Sequence, residues 1–397
     1  MIEERLRAVR PVTGEPRYHF FGYYDKTPWD LTGGYILALE VTFQDRSPTG
    51  GDTAVVGLVD LQRRRFEPLA TTHAWNWQQG CMLQWLPSAP DRQVIYNDRD
   101  GDQYVAVILD VPTGRRRVLP RPIYALSHDG KSSVFPNFSR LAAKRPGYGY
   151  AGVPDPWQHD LLPADDGIYS MNLETGDHRL LLSLEQIAHV RHHTTMDGVE
   201  HWCNHLQFSP DSQRFVFLHR WRTTAAHWST QLMTASPDGS RLCCVADDGL
   251  VSHFDWQDSQ HILAWASQPG GGDHYYLFED GSGRAQAIGA DVLPTDGHCS
   301  YAPKGEWILT DTYPDAEHMR TLLLYHPPTN LRVDLAQLYS PPELGGEMRC
   351  DLHPRWSRDG RQVCIDSAHT GYRQMYVLDV DDVTRGENPL SDRAWRS

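Results

Sequence analysis

The sequence predicts an all-β fold, specifically a seven-bladed β-propeller. The first observation behind this prediction is a unit of about 45 to 55 residues that recurs along the 397-residue chain. The second is that each unit holds several short β-rich runs separated by turns. The third is composition: 13 Trp, 18 Tyr and 11 Phe accompany 32 Gly and 27 Pro, and aromatic residues together with turn formers favour short strands over long helices.

The repeat is clearest in the second half of the chain, where a histidine is followed three residues later by an aromatic residue and then by a turn. His205, His253, His298 and His353 occupy this position and lie 48, 45 and 55 residues apart. β-rich runs follow them, at 214–218, 262–266, 307–311 and 361–366, and the last unit adds a second run at 374–380. A period of this length with several strands per unit is typical of a propeller.

Three weaker copies in the first half bring the number of units to seven. They are residues 25–34 with the run that begins at 35, residues 82–87 with the run that begins at 94, and residues 135–140. We therefore expect a single propeller domain over residues 1–397, closed by pairing of the two chain ends. A segment at about 141–176 exceeds the period and predicts a long inter-blade insertion over one face. An irregular pair of β-sandwiches remains the alternative fold.

Composition restricts the partners and the compartment. The formal net charge of −14 opposes non-specific binding to nucleic acid or to anionic membrane surfaces. No apolar run approaches the roughly 20 residues of a membrane span, and the first residues lack the apolar core of a secretory signal, so we expect a cytoplasmic protein. Seven irregularly spaced cysteines suit reduced thiols better than disulfides. The oligomeric state stays open.

The four histidines of the repeat predict a shared site. The innermost strand of each blade runs along the central channel, so one position of successive blades faces one space. We expect His205, His298 and His353, with Asp351, to bind a divalent metal ion, manganese or zinc, with calcium as a further option. One of the four imidazoles could instead act as a base beside a three-ligand site. The alternative is that each histidine is a buried packing residue.

Other residues are candidates because of the chemistry of their side chains. Tyrosine can transfer a proton, arginine can clamp a carboxylate, and aromatic rings can stack on a sugar. The catalytic candidates beyond the histidines of the repeat are Tyr124, Arg140 and His73, and the substrate-binding candidates are Arg145, Tyr148 and Trp77. The chain contains no nucleophile-elbow, phosphate-loop or dinucleotide motif, so hydrolase, kinase and dehydrogenase functions of those classes lack support.

The chain resembles the seven-bladed propeller polysaccharide lyases over most of its length. The segment 252–256 around His253 is similar to the one that carries the catalytic histidine of oligogalacturonate lyases, and the segments around His298 and His353 resemble their manganese-binding segments. Asp351 stands where that family has another histidine, and Met348 where it has a glutamine ligand. The front half, with Tyr124, the turn 137–140 and the histidine-rich loop ending at His205, is similar to ulvan lyases.

The resemblance implies a lyase that cleaves a 4-linked uronic acid glycosidic bond by β-elimination, acting on an anionic uronate-containing oligo- or polysaccharide. Arg140 or the metal would neutralise the uronate carboxylate, His253 or Tyr124 would remove the C5 proton, and Tyr124 or His73 would protonate the leaving oxygen. Two alternatives stay open. One is a non-catalytic propeller that binds a protein or glycan partner, and the other is a metal-dependent hydrolase on the same scaffold.

Overall fold

The computed structural model describes residues 1–385 as seven β-sheets that form a seven-bladed β-propeller. This confirms the predicted fold class. The chain begins with two short strands, β1 (Ile2–Glu4) and β2 (Arg10–Pro11), which are added to sheets built by the end of the chain. Apart from β1, neighbouring strands within each blade are antiparallel, and the first strand of each repeat lies innermost.

The first three blades follow each other in chain order. Blade 1 comprises β3 (Tyr18–Phe20), β4 (Tyr35–Val41), β5 (Ala54–Asp60) and β6 (Arg65–Thr72). Blade 2 comprises β7 (Gln84–Trp85), β8 (Gln93–Asp100), β9 (Gln103–Asp110) and β10 (Arg116–Leu119). Blade 3 comprises β11 (Ala125–Leu126), β12 (Ser132–Pro136), β13 (Gly167–Asn172) and β14 (His178–Ser183).

The other four blades carry the histidine repeat. Blade 4 comprises β15 (His201–Phe208), β16 (Phe215–Arg222), β17 (Trp228–Ala235) and β18 (Cys243–Gly249). Blade 5 comprises β19 (Val251–Trp256), β20 (His261–Gln268), β21 (Gly272–Glu279) and β22 (Ala285–Ile288). Blade 6 comprises β23 (Ser300–Tyr301), β24 (Ile308–Asp311), β25 (Met319–His326) and β26 (Leu331–Tyr339), and blade 7 comprises β27 (Arg355–Trp356), β28 (Gln362–Ser367) and β29 (Gln374–Asp379).

The ring closes through the N-terminal strands. β2 is the outermost strand of blade 7 and runs antiparallel to β29, with Arg10 opposite Val377. β1 adds a fifth, parallel strand to blade 6 beside β26. The N-terminal strands therefore complete the last two blades, and the pairing of β2 with β29 near the end of the described chain closes the ring, as the sequence predicts.

The strand sequences follow from the way the blades pack. Each middle strand has a neighbouring blade on both of its faces, so β4 and β9 are almost continuous apolar runs that are buried nearly throughout. Outermost strands such as β10 and β22 are mostly exposed and more polar. The largest buried apolar clusters lie between adjacent blades, where the faces of two sheets meet.

The recurring turn has a structural explanation. In three repeats a serine hydroxyl donates a hydrogen bond to an aspartate two residues on, at 2.6 to 2.7 Å: Ser127 to Asp129, Ser209 to Asp211 and Ser357 to Asp359. Gly360 then takes a positive φ of 72°, which glycine adopts without strain. The turn therefore joins the two innermost strands of a blade and carries no chemistry of its own.

The long insertion lies within blade 3, between its second and third strands, and not between two blades as predicted. It covers residues 137–166 and starts with helix α1 (Phe138–Lys144), which Asn137 caps by accepting hydrogen bonds from two backbone amides. The other helices are α2 (Leu184–Ala188) and α3 (Asp381–Thr384), with 3₁₀ turns at Thr194–Met196, Pro327–Thr329 and Gly346–Met348. None of the helices in residues 1–385 has the length and apolarity of a membrane span.

Candidate functional site

The four histidines of the repeat meet in the central channel. They come from blades 4 to 7, and each is at most 6% exposed. The ring centroids of His205 and His253 are 6.4 Å apart, those of His253 and His298 are 4.2 Å apart, and those of His298 and His353 are 4.5 Å apart. One position of four successive repeats therefore forms a continuous arc of imidazoles.

Two members of this arc have an unusual backbone. His205 has a φ of 53° and His353 a φ of 41°, both in the left-handed region that residues with a side chain rarely occupy. At His205 the register between β15 and β16 shifts as well. Such strain costs on the order of 1–3 kcal/mol per residue and is concentrated at functional sites. The surrounding fold thus holds both histidines in positions that the backbone alone would not adopt.

The N-terminal segment that joins β3 to β4 in blade 1 contacts the arc of histidines. The Tyr23 ring stacks on His205, with centroids 4.8 Å apart and planes at 8°, and its edge or face also meets His353 at 5.0 Å. The Tyr24 hydroxyl donates to the Phe254 carbonyl at 2.9 Å and accepts from the Phe254 amide at 3.0 Å. Tyr24 therefore fixes the segment to blade 5. Neither tyrosine is predicted from the sequence, because both precede residues 25–34, the first copy of the repeat.

His298, Asp351 and His353 form a group with the spacing of a metal site. Their ligand atoms all lie within 4.8 Å of one another, and all three residues are buried. The Nδ1 atom of His298 lies 2.8 Å from Asp311, while the Nε2 atoms of both histidines are buried without a hydrogen-bond partner among residues 1–385. A histidine that donates its second nitrogen to a carboxylate is the usual arrangement around a bound metal. These three residues therefore fit a divalent ion.

His205 is not part of this group, although the sequence predicts it as a ligand. Its Nε2 atom lies 3.3 Å from the Tyr23 hydroxyl, and its Nδ1 atom lies 3.2 Å from Gln79 Nε2. Both ring nitrogens are thus engaged by the protein. Burial, followed by the nearby charge of Arg220, lowers the pKa of His205 well below its ordinary value, so the ring is neutral. The group whose atoms lie close enough to hold a metal ion is therefore His298, Asp351 and His353, without His205.

Asp351 is held between two arginines. Its carboxylate oxygens lie 2.7 Å from Arg320 and 2.7 Å from Arg349, but neither contact has hydrogen-bond geometry, so both are charge–charge contacts. Burial alone would raise the pKa of Asp351; Arg349 and Arg320 outweigh burial and keep the pKa well below its usual range. The carboxylate is therefore ionised and can serve as an anionic ligand.

His253 has the features of a base. Its Nδ1 atom lies 3.0 Å from Asp296 and 3.1 Å from the Ser252 hydroxyl, so a neutral ring carries its proton on Nδ1 and has a lone pair on Nε2. Burial lowers the pKa of His253, and Asp296 opposes this effect only in part. The ring is thus unprotonated near neutral pH. Asp296 was not predicted, although it precedes His298 by only two residues.

Tyr124 reaches the same region. Gln79 Nε2 donates a 2.7 Å hydrogen bond to the Tyr124 hydroxyl, which lies 3.4 Å from His205 Nδ1. Burial raises the pKa of Tyr124 well above 10, and the same holds for Tyr23, so both phenols stay protonated. The structure therefore places two neutral tyrosine hydroxyls beside the histidine arc.

The insertion supplies two of the three predicted substrate-binding residues, Arg145 and Tyr148. The Tyr148 ring lies 5.4 Å from the His205 ring, and its hydroxyl accepts a 2.8 Å hydrogen bond from Arg349. The Arg145 guanidinium lies 4.7 Å above the Tyr148 ring. This part of the insertion covers the channel on the side of blades 4 and 7.

Three predicted residues lie elsewhere. Arg140 is 2% exposed and donates to the carbonyls of His201, Trp157, Asp160 and Leu161, so its guanidinium ties the insertion to blade 4 and is not available as a carboxylate clamp. Trp77 is 1% exposed and donates to the Arg46 carbonyl within an aromatic cluster, which leaves no face for a sugar. The half-exposed His73 lies 3.8 Å from Asp98, outside the arc.

Comparison with known proteins supports the fold. No protein-family profile matches the chain, and no curated protein is significantly similar. An oligogalacturonate lyase from Vibrio parahaemolyticus has a TM-score of 0.67 at 13% identity, with 94% of this chain and 93% of that chain covered. An oligogalacturonate lyase in complex with manganese has a TM-score of 0.66 at 15% identity, with 94% and 92% covered. Tricorn protease matches with a TM-score of 0.53 at 13% identity, over 93% of this chain and 34% of its own.

At these identities the likeness concerns the fold. The two lyases match along nearly their whole length, whereas tricorn protease contributes only one third of its chain. The protein therefore has the seven-bladed β-propeller fold of the oligogalacturonate lyases.

Proposed function

We propose that this protein is a lyase that cleaves a 4-linked uronic acid glycosidic bond by β-elimination. The observation that carries the proposal is the position of His253, a neutral histidine backed by Asp296, at 4.2 Å between ring centroids from His298 of the metal-type group. β-Elimination at a uronate needs a base for the C5 proton and a cation for the adjacent carboxylate. In this proposal His253 would supply the base, and the adjacent His298–Asp351–His353 group would hold the cation.

In this proposal His253 is the base. Its Nε2 lone pair accepts the C5 proton, the electrons of the C5–H bond form the C4–C5 double bond, and the C4–O bond breaks. Asp296 holds the ring in the required tautomer and stabilises the imidazolium that forms. Because burial keeps the pKa of His253 low, the free base is available at neutral pH.

A divalent ion would be held by His298, His353 and Asp351. When bound, it would neutralise the uronate carboxylate and thereby make the C5 proton more acidic. Two imidazoles and one carboxylate suit manganese or zinc better than calcium, which prefers an all-oxygen set. Asp311 orients His298 through its Nδ1 atom, and Arg320 and Arg349 keep Asp351 ionised.

Tyr23 is the acid that we assign to the leaving oxygen. Its ring contacts His205 and His353, its hydroxyl lies 3.3 Å from His205 Nε2, and its raised pKa keeps the phenol protonated. Tyr124 is a second candidate, since it belongs to the same hydrogen-bonded group through Gln79. His73 is excluded from this role by its position beside Asp98.

The test is an ultraviolet screen of uronate-containing oligosaccharides with the metal-loaded protein. The C4–C5 double bond of the product absorbs in the near ultraviolet, so we expect absorbance to rise for at least one substrate and to stay flat with His253→Ala. His261→Ala is the matched control, because His261 lies in the same blade, carries an aspartate partner at 2.9 Å and is exposed. Products with only saturated ends would refute the lyase and point to a hydrolase.

A further inference from the structure

The segment 340–349 connects β26 to β27 and contacts the metal-type group. It is held mainly by polar contacts: Gln78 Nε2 donates 3.0 Å hydrogen bonds to the carbonyls of Glu347 and Arg349. Leu344 packs in a buried cluster of only three residues, and the two glycines that follow it are exposed. A segment with so few buried apolar contacts opens more easily than the strands of the blades.

Arg349 ties this segment to the metal-type group and to the insertion. Its Nε atom lies 2.7 Å from Oδ2 of Asp351, and its Nη2 atom donates a 2.8 Å hydrogen bond to the Tyr148 hydroxyl. The ring of Tyr148 in turn lies 5.4 Å from the His205 ring. Arg349 therefore completes the layer of side chains that covers this side of the arc.

This layer closes off the atoms that would bind an ion. The Nε2 atoms of His298 and His353 and both carboxylate oxygens of Asp351 are buried, without a hydrogen-bond partner among residues 1–385. An ion that binds these atoms, and a sugar that follows the ion, can therefore reach them only after part of the cover has moved.

Arg349 and a bound ion would compete for one carboxylate. Oδ2 of Asp351, which Arg349 contacts, is also the oxygen that lies 4.0 Å from Nε2 of His353. Arg320 lies 2.7 Å from the other oxygen, so a divalent ion would be the third cation beside a single negative charge. Repulsion between these cations favours the departure of one guanidinium when the ion binds.

Of the two arginines, Arg349 is the one that can leave. Arg320 lies on β25, its side chain is 2% exposed, and its Nε atom donates to the Ser340 hydroxyl. Arg349 lies on the connecting segment, and its side chain is 19% exposed. Its contact with Asp351 lacks hydrogen-bond geometry, so no directional bond has to be broken there.

We propose that the segment 340–349 is a lid that metal binding opens. An ion at His298, Asp351 and His353 displaces Arg349, which then releases Tyr148 and uncovers the arc. This inference rests on the metal group of the proposed function and adds its regulation: the metal-free protein is closed, and the metal-loaded protein admits a saccharide. Because linkage is reciprocal, an open lid in turn raises the affinity for the metal.

The experiment uses the full-length metal-free protein and MnCl2 alone. Calorimetric titration measures the affinity for Mn²⁺, and hydrogen–deuterium exchange measures the opening of the segment 340–349. We expect saturating Mn²⁺ to speed amide exchange in this segment about tenfold or more. His298→Ala, which removes a ligand, should abolish both the binding heat and the change in exchange.

Arg349→Met removes the charge of the latch and keeps an apolar stem. It should raise the affinity for Mn²⁺ roughly 10- to 100-fold, because the ion no longer has to displace charge-assisted contacts, and the segment should exchange rapidly without metal. The matched control is Arg332→Met, which removes an arginine paired with Asp334 at 2.6 Å on β26 and should change neither quantity. An unfolded variant would bind Mn²⁺ more weakly, so a gain in affinity cannot be attributed to unfolding.

The possible failures separate the lid from the metal site. If Arg349→Met binds Mn²⁺ no more tightly than the parent, Arg349 orients Asp351 as a ligand and the lid is refuted. Mn²⁺ that binds the parent but leaves exchange of the segment unchanged, or slows it, also refutes the lid and leaves the lyase proposal intact. If neither the parent nor Arg349→Met binds Mn²⁺, the metal group of the proposed function is refuted, and the lid with it.

Discussion

The exchange Asp296→Asn tests whether His253 acts as a base that Asp296 positions. The carboxylate lies 3.0 Å from His253 Nδ1, and His253 is 4% exposed, so the contact is a largely buried charge-assisted hydrogen bond. Asparagine has nearly the same shape and can still accept a hydrogen bond from Nδ1, but it lacks the negative charge that stabilises the imidazolium. The change therefore removes the charge and keeps the geometry.

The expected effect follows from the strength of that bond. A hydrogen bond to a charged group contributes about 1.5–3 kcal/mol, which corresponds to a fall in kcat of roughly 10- to 150-fold. The pH profile should change too. Burial lowers the pKa of His253, and the negative charge of Asp296 raises it by a smaller amount. Removing that charge should therefore lower the pKa of His253 further. Since the base must be unprotonated, the acidic limb of kcat/KM should move to lower pH while the plateau falls.

The assay is the initial rate of near-ultraviolet absorbance between pH 4 and 8 on the substrate found in the screen. Asp258→Asn is the control, because Asp258 forms an equivalent contact with His261 on the exposed side of the same blade. It should change neither the plateau nor the limb. An unchanged plateau in Asp296→Asn, or a limb that moves to higher pH, would refute the assignment of His253 as the base.

Three further predictions concern the metal, the insertion and a buried acid. Elemental analysis should find about one equivalent of manganese or zinc per chain, lost in His298→Ala and His353→Ala; retention in both would contradict the ligand assignment. Arg140→Ala should lower the free energy of unfolding by about 3–5 kcal/mol in denaturant titration, because it leaves buried carbonyls and Asp155 without their cation; a loss under 1 kcal/mol would contradict this. Burial raises the pKa of Asp255 from 3.8 to about 6, so the folded state binds its proton more tightly and this stabilisation is lost as pH rises from about 4 through 6. Asp255→Asn should therefore gain stability relative to the parent protein between pH 4 and 7, and a pH-independent difference would refute the shift.

Much of the fold could be predicted because a propeller repeats one local pattern. The spacing of His205, His253, His298 and His353 reports the blade period, and the serine–aspartate turns mark where the first two strands of a blade join. Since the innermost strands surround one channel, the same repeat also predicts that these four side chains approach each other. Their convergence follows from the repeat and the symmetry of the fold.

The roles of individual side chains could not be predicted in the same way. Arg140 has the chemistry of a carboxylate clamp, but the carbonyls of the insertion occupy it. His353 and His205 occupy the same position of the repeat, yet only His353 joins the metal-type group, because Tyr23 and Gln79 engage both nitrogens of His205. The carbonyl partners of Arg140 lie 17 to 61 residues away in the chain, and Gln79 and Tyr23 lie 126 and 182 residues away from His205.

The sequence by itself determined the number of blades, the closure of the ring by the chain ends and the arc of imidazoles. The reason is that the same local pattern of residues recurs in each repeat and can be recognised without knowledge of the tertiary structure. Only the tertiary structure decided which histidine nitrogens have no hydrogen-bond partner within residues 1–385, and that Asp296 backs His253. The physical reason is that hydrogen bonding, burial and charge are set by neighbours in space. Within this channel those neighbours come from the N-terminal segment, the insertion and four different blades.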